Sequence, residues 1–148
     1  MNDFSEYLNY SDEADKAKQL KIMDKIILSK ETEEKVKAVS KKISFVIFAE
    51  PYCPDCRAFV PFMEKFAELN PFIHVTYLSR KDNLELLASL SKEAKIPSMF
   101  SYVNGKAHLV YLELPNFVWE KIKDGEDSSE LSYNYRTGVY NKEVEKEI

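Results

Sequence analysis

The apolar pattern changes rhythm several times along the chain, and each change marks an element. Residues 43–49, Ile-Ser-Phe-Val-Ile-Phe-Ala, form an apolar, β-branched run, the pattern of a buried strand. From Pro54 the rhythm becomes helical: Phe59, Phe62, Met63 and Phe66 recur on one face, and Asn70-Pro71 stops the helix after Leu69. Residues 72–78 are a second strand. A cap at Asp82 opens a helix that runs to Ala94, with Leu84, Leu87 and either Leu90 or Ala88 facing inward. Pro97 opens a third strand, Asn104-Gly105 is a strong hairpin turn, and His108 to Glu113 form the fourth strand. Pro115 at the first helical position starts a last helix to Lys123.

The flanks are patterned differently. Residues 1–42 predict helices, with Ala17, Leu20, Met23 and Ile27 on one face of the first. Ser29 caps a second helix through Lys41 that turns Val36 and Val39 inward. Residues 124–132 are a polar break, and Tyr133, Tyr135, Val139 and Tyr140 then make the tail too apolar for simple disorder. The whole implies one domain over 1–148, with a core at 43–123, a helical N-terminal segment at 1–42 and a tail at 124–148 that packs back. Two strands joined by a helical crossover are parallel, and the final pair is an antiparallel hairpin. The fold class is α/β, a central mixed four-stranded sheet flanked by helices.

Composition narrows the function. The chain has 148 residues, enough to bury a real core, and a net charge of −4, which leaves no electrostatic footprint for nucleic acid. The start, Met-Asn-Asp-Phe-Ser-Glu-Tyr, lacks the basic and apolar regions of a signal peptide, and no run has membrane-spanning length. The expectation is a cytoplasmic protein that binds neither membrane nor nucleic acid.

The chemistry sits where the first strand hands over to a helix. Residues 50–57 are Glu50-Pro51-Tyr52-Cys53-Pro54-Asp55-Cys56-Arg57, and Cys53 and Cys56 are the only cysteines. A thiol at a helix N-terminus faces unsatisfied N–H groups and the positive end of the helix dipole, which favour the reactive thiolate. Cys56, one turn on, can close a disulfide with it. In a reducing compartment this spacing points to redox or metal chemistry, not to a structural staple.

Glu-Pro-Tyr-Cys-Pro-Asp-Cys resembles the active-site motif of the thioredoxin family, in a bacterial branch where Glu-Pro-aromatic precedes the pair and Asp precedes the second cysteine. Pro61, eight residues after Cys53, and Ile96-Pro97-Ser98 match two further landmarks, and Arg80 to Leu86 also looks like that branch. The resemblance covers residues 43–113. It implies a thioredoxin-like fold and a thiol–disulfide oxidoreductase, with Cys53 as nucleophile and Cys56 as resolving thiol. It implies that Pro97 is cis and faces the dithiol, and that Tyr52, Pro54, Ile96 and Pro97 line the substrate groove. The redox-active disulfide is then the whole cofactor, and no metal is expected. The partners are a protein or small-molecule disulfide and an unidentified electron donor.

The departures from the family pattern also matter. The buried Asp beneath the family's dithiol is replaced here by Val46 or Ile47, so proton handling falls to water, Glu50 or Asp55. The usual glycine loop opposite the active site becomes Leu114-Pro115-Asn116-Phe117. Asp55 and Glu50 disfavour a Cys53 thiolate while Arg57 and the helix N-terminus favour it, a balance nearer a reductant than an oxidant. The competing class is a thioredoxin-like binding protein whose dithiol senses redox state or holds a metal. Zinc needs about four ligands, and beyond the cysteines only His74, His108 and carboxylates are at hand.

Overall fold

The computed structural model describes residues 3–91, 94–103 and 105–136. Three helices, α1 (Phe4–Leu8), α2 (Glu13–Lys25) and α3 (Lys30–Lys37), precede β1 (Ile43–Phe48). Then come α4 (Pro54–Leu69), β2 (Ile73–Leu78), α5 (Leu84–Leu90), β3 (Ser98–Val103), β4 (Lys106–Leu112), α6 (Asn116–Lys123) and α7 (Ser128–Arg136). The four strands lie in the order β2-β1-β3-β4. β1 and β2 are parallel, joined by α4, while β3 runs antiparallel to both β1 and β4. This is the expected mixed sheet. Ile47 and Phe48 point to opposite faces and both are fully buried, so helices cover the sheet on both sides. Gly105 sits at φ 76° in the β3–β4 turn, where its missing Cβ removes the penalty; Asn104 lies outside the described residues.

α4 is the centre of the fold, and most of its residues from Asp55 to Phe66 are buried. The helix continues through Pro61. A proline inside a helix leaves the carbonyl four residues earlier without its N–H partner. That carbonyl belongs to Arg57, and the Gln19 side-chain amide donates to it at 3.1 Å. Gln19 is itself fully buried on α2 and accepts from the Tyr7 hydroxyl at 2.7 Å. Tyr7, Phe4, Tyr10 and Tyr77 then form an aromatic cluster that seats α1 on β2, and the Tyr10 hydroxyl donates to the Tyr77 carbonyl at 2.7 Å. At the far end of α4, buried Asn70 donates to the Val36 and Val39 carbonyls and accepts from the Phe72 N–H, tying α3 to the helix stop.

Several sequence expectations shift for identifiable reasons. The inward face of α2 is not the apolar one: Ala17, Leu20 and Ile27 are exposed, and Gln19 turns in because the Arg57 carbonyl needs a donor. Ser29 caps α3 through the Thr32 N–H as expected, but the helix ends at Lys37. α5 starts after Asn83, not Asp82, and stops at Leu90 with Leu84 exposed. Asp82 instead accepts from the Ser79 hydroxyl, and the Asn83 amide turns back to the Ser79 carbonyl. Pro115 is the N-cap of α6 rather than its first residue. The largest correction is the polar break, which holds the start of α7. Asp127 accepts from the N–H groups of Ser129 and Glu130, the work of an N-cap. Tyr135 is buried as expected of a tail that packs back, whereas Tyr133 is exposed and Val139 and Tyr140 lie outside the described residues.

Gln19→Leu should destabilise the protein by about 1–3 kcal/mol, because it strands a buried carbonyl and a buried hydroxyl. In a Pro61→Ala background the restored N–H can serve Arg57, so the same change should cost less. Urea denaturation of the wild type, the two single variants and the double variant measures both, and an equal cost in the two backgrounds would refute the pairing of Gln19 with the proline.

Candidate active site

Sheet topology builds this site. β1 and β3 are antiparallel with Phe48 opposite Ser98, so the loop leaving β1 and the turn entering β3 meet at one end of the sheet. The first carries Cys53 and the second carries Ile96-Pro97. The Ile96–Pro97 peptide is cis, and the Ile96 carbonyl lies 3.9 Å from Cys53 Sγ. Its surroundings hold the turn in place. The Glu113 N–H donates to the Pro97 carbonyl at 2.7 Å, Arg80 donates to the Ala94 carbonyl at 2.8 Å, and the Ser98 hydroxyl donates to the Lys95 carbonyl.

Cys53 is the N-cap of α4, and its sulfur accepts from the Cys56 N–H at 3.4 Å. Pro54 follows at the first helical position, exposed, where it lacks only an N–H that no helix bond needs. The thiol of Cys56 hydrogen-bonds to Cys53 and is the main reason the Cys53 pKa falls; the Cys56 and Asp55 backbone N–H groups add to it. Burial and the Asp55 charge oppose this without reversing it. Cys56 is fully buried, and desolvation first, then its bond to Cys53, raises its pKa well above normal. The two thiols are both free, and their surroundings shift their pKa values in opposite directions, Cys53 down and Cys56 up.

The remaining expected residues fall into two groups. Tyr52 is exposed beside the pair, and its N–H donates to the Ser11 hydroxyl at 3.0 Å. Ile96 and Pro97 are buried against the site. Glu50 is buried, and desolvation raises its carboxyl pKa despite nearby Lys81 and a hydrogen bond from Tyr52. Arg57 is placed differently from expectation. Its guanidinium donates to the Pro51 and Tyr52 carbonyls at 2.8 and 3.0 Å and approaches Asp15 at 3.9 Å, so it braces the loop. Ile47 is fully buried and Val46 partly so, at the strand positions where the family pattern has a carboxylate.

One residue at the site has no counterpart in the sequence expectations. Arg136, at the end of α7, grips Asp55 with two hydrogen bonds, Nε to Oδ1 at 2.8 Å and Nη2 to Oδ2 at 3.2 Å. Their separation of 81 residues hides the pair from any local motif. The available signal was Asp127-Ser128-Ser129-Glu130, a capping-box pattern that starts a helix where a break was expected. Buried tyrosines also flank the dithiol. Tyr7 and Tyr135 both have raised pKa values, from burial above all, and both sense the cysteine charges. Among the described residues, no three His, Cys, Asp or Glu side chains converge to hold a metal ion, and His74 and His108 are exposed on β2 and β4.

A family model described as thioredoxin matches residues 1–129. The fold is similar to that of an HIV epitope scaffold, with a TM-score of 0.78 at 16% identity over 98% of this chain and 88% of that one. It is similar also to a Pseudomonas aeruginosa protein of unknown function, with a TM-score of 0.75 at 17% identity over 98% of this chain and 87% of that one. At such identities the likeness concerns the fold alone. A comparison with curated proteins found no match. No described helix is long and apolar enough to cross a membrane.

The opposed environments predict strongly unequal thiols. The lowered pKa of Cys53 and the raised pKa of Cys56 let the Cys53 thiolate persist to lower pH than that of Cys56. Iodoacetamide should therefore alkylate one thiol of the reduced native protein, with a pH inflection below that of a model cysteine. Cys56 should react only after unfolding. Equal labelling of both thiols in the native state, mapped by mass spectrometry, would contradict the assignment.

Proposed function

This chain belongs to the thioredoxin family, and we propose that it is a thiol–disulfide oxidoreductase acting as a disulfide reductase in a reducing compartment such as the cytoplasm. The observation that carries this reading is the pairing of Cys53 at a helix N-cap, where hydrogen bonds lower its pKa, with a buried Cys56 one turn later whose pKa is raised. That asymmetry assigns the two chemical roles.

The Cys53 thiolate attacks one sulfur of a substrate disulfide and displaces the other as a thiolate, leaving a mixed disulfide on Cys53. The Cys56 thiol then loses its proton and attacks the Cys53 sulfur. The Cys53–Cys56 disulfide forms, the second substrate thiolate leaves, and two electrons have passed to the substrate. An external dithiol donor restores the pair. Formation of the mixed disulfide removes the Cys53 charge, one of the influences holding the Cys56 pKa up, so resolution becomes easier once attack has occurred. The Cys56 proton needs an acceptor. Glu50 is the better suited carboxylate, since its pKa is raised by burial and its backbone hydrogen-bonds to Cys56, whereas Asp55 is engaged by Arg136. An extended substrate segment would pair with the backbone of the Ile96-Pro97 turn, with Tyr52 and Pro54 at its border.

The reduced protein should reduce a model protein disulfide when supplied with a dithiol donor. Cys53→Ser should abolish turnover, and Cys56→Ser should accumulate a mixed disulfide on Cys53, visible by mass spectrometry. Activity that survives Cys53→Ser, or a stoichiometric metal that resists removal from the reduced protein, would sink the reductase reading.

A further inference from the structure

Asp55 stands between the two cysteines in the first turn of α4, where a bare carboxylate opposes the Cys53 thiolate. It is not bare. Its side chain is 12% exposed, and both oxygens are held by the guanidinium of Arg136 in a two-pronged bond. This two-pronged geometry, with the Nε contact at 2.8 Å, makes the pair a charge-assisted one rather than a chance surface contact.

Arg136 is delivered to that spot by packing. Leu131 and Tyr135 of α7 are buried, and the Tyr135 hydroxyl shares a hydrogen bond with Tyr111 at 2.8 Å. The Tyr111 ring stacks on Phe59 at 3.9 Å between centroids with 13° between planes. Phe59 lies one turn beyond Asp55 on α4. So α7 is fastened to the active-site helix through its tyrosine and through its arginine. The alternative local cation, Arg57, is committed to the Pro51 and Tyr52 carbonyls.

We propose that Arg136 is a positioning residue that holds the Asp55 carboxylate and screens its charge from Cys53, so that the C-terminal helix sets the redox poise of the dithiol. The inference rests on the redox reading of the pair given above. The charges run both ways, as they must: Asp55 pushes the Cys53 pKa up, and the Cys53 charge in turn helps to raise the pKa of Arg136. Arg136 lies beyond the stretch matched by the family model, which ends at residue 129.

The test compares wild type with Arg136→Gln, Arg136→Lys, Asp55→Asn and the Arg136→Gln/Asp55→Asn double variant. Two readouts are used: the pH profile of Cys53 alkylation by iodoacetamide, and the equilibrium with reduced and oxidised glutathione. Because the arginine is partly exposed, screening keeps the effect modest. Arg136→Gln should raise the Cys53 pKa and cut the thiolate fraction below that pKa by about threefold, with a similar shift of the glutathione equilibrium toward the disulfide. Arg136→Lys should recover part of the loss, and Asp55→Asn should shift both readouts the other way. In the Asp55→Asn background the arginine has lost the group that holds it, so Arg136→Gln should have a smaller effect. An unchanged alkylation profile in Arg136→Gln, or an identical shift in both backgrounds, overturns the proposal. If Arg136→Gln does not fold, Asp55→Asn decides, and an unshifted profile there overturns it equally. Should the wild type form no reversible disulfide, the reductase reading fails, while the alkylation profiles still decide whether Arg136 screens Asp55.

Discussion

A proline in the middle of a buried helix creates an obligation that the surrounding structure must meet. Pro61 removes one N–H from α4, and the carbonyl of Arg57 is left in a place where water does not reach easily. Gln19 supplies the missing donor, and Tyr7 satisfies Gln19 in turn. That short chain of hydrogen bonds ties α1 and α2 to the active-site helix and gives α2 its reason to turn a polar residue inward. It also explains the placement of α1, because Tyr7 can reach Gln19 only if α1 lies against β2, where Phe4, Tyr10 and Tyr77 complete the packing. The N-terminal segment is therefore part of the same hydrogen-bonded core as the helix that bears the dithiol.

The dithiol exploits two opposite consequences of burial. At the helix N-cap, Cys53 receives N–H groups that no intrahelical carbonyl uses, and these stabilise negative charge. One turn later, Cys56 is fully buried, and desolvation, its bond to Cys53 and the nearby charges outweigh the one hydrogen bond from the Glu50 backbone, so its pKa is raised. A single turn of helix thus separates two sulfurs of identical chemistry into a nucleophile and a proton-bearing reserve. The charges around them are arranged with the same economy. Arg57 braces the loop backbone, Arg136 occupies Asp55, and Glu50, whose backbone hydrogen-bonds to Cys56, has a carboxyl pKa raised by burial.

The parallel pairing of the first two strands, the antiparallel hairpin of the last two, the strand–turn–helix that presents Cys53 and the helix from Pro54 to Leu69 were legible in the residues, through apolar periodicity, proline geometry and capping at a helix start. The meeting of Pro97 with the dithiol was implied by the family resemblance, not by any local rule. The expectations that failed share a different origin. Leu20 and Ile27 look like the buried face of α2, and only the demand of a carbonyl 38 residues away turns Gln19 inward instead. Asp82 is a reasonable cap for α5, yet the Ser79 hydroxyl competes for it. The polar run before Ser128 looks like a break because its inward side chains, Leu131 and Tyr135, are few; their burial comes from α4 and β4, not from the segment itself.

The sequence by itself determined that this chain builds a mixed sheet around one central helix and that two thiols stand at that helix's N-terminus. Spacing and local stereochemistry suffice for this, since the groups involved lie within a few residues of each other. Tertiary structure alone decided which charges face those thiols. A guanidinium acts on a carboxylate only across a few ångströms, and the fold brings Arg136 to Asp55 across 81 residues while it sends Arg57, two residues from Asp55, to the loop backbone. Distance along the chain predicts neither placement; the packing of α7 on α4 and the path of the loop after β1 predict both.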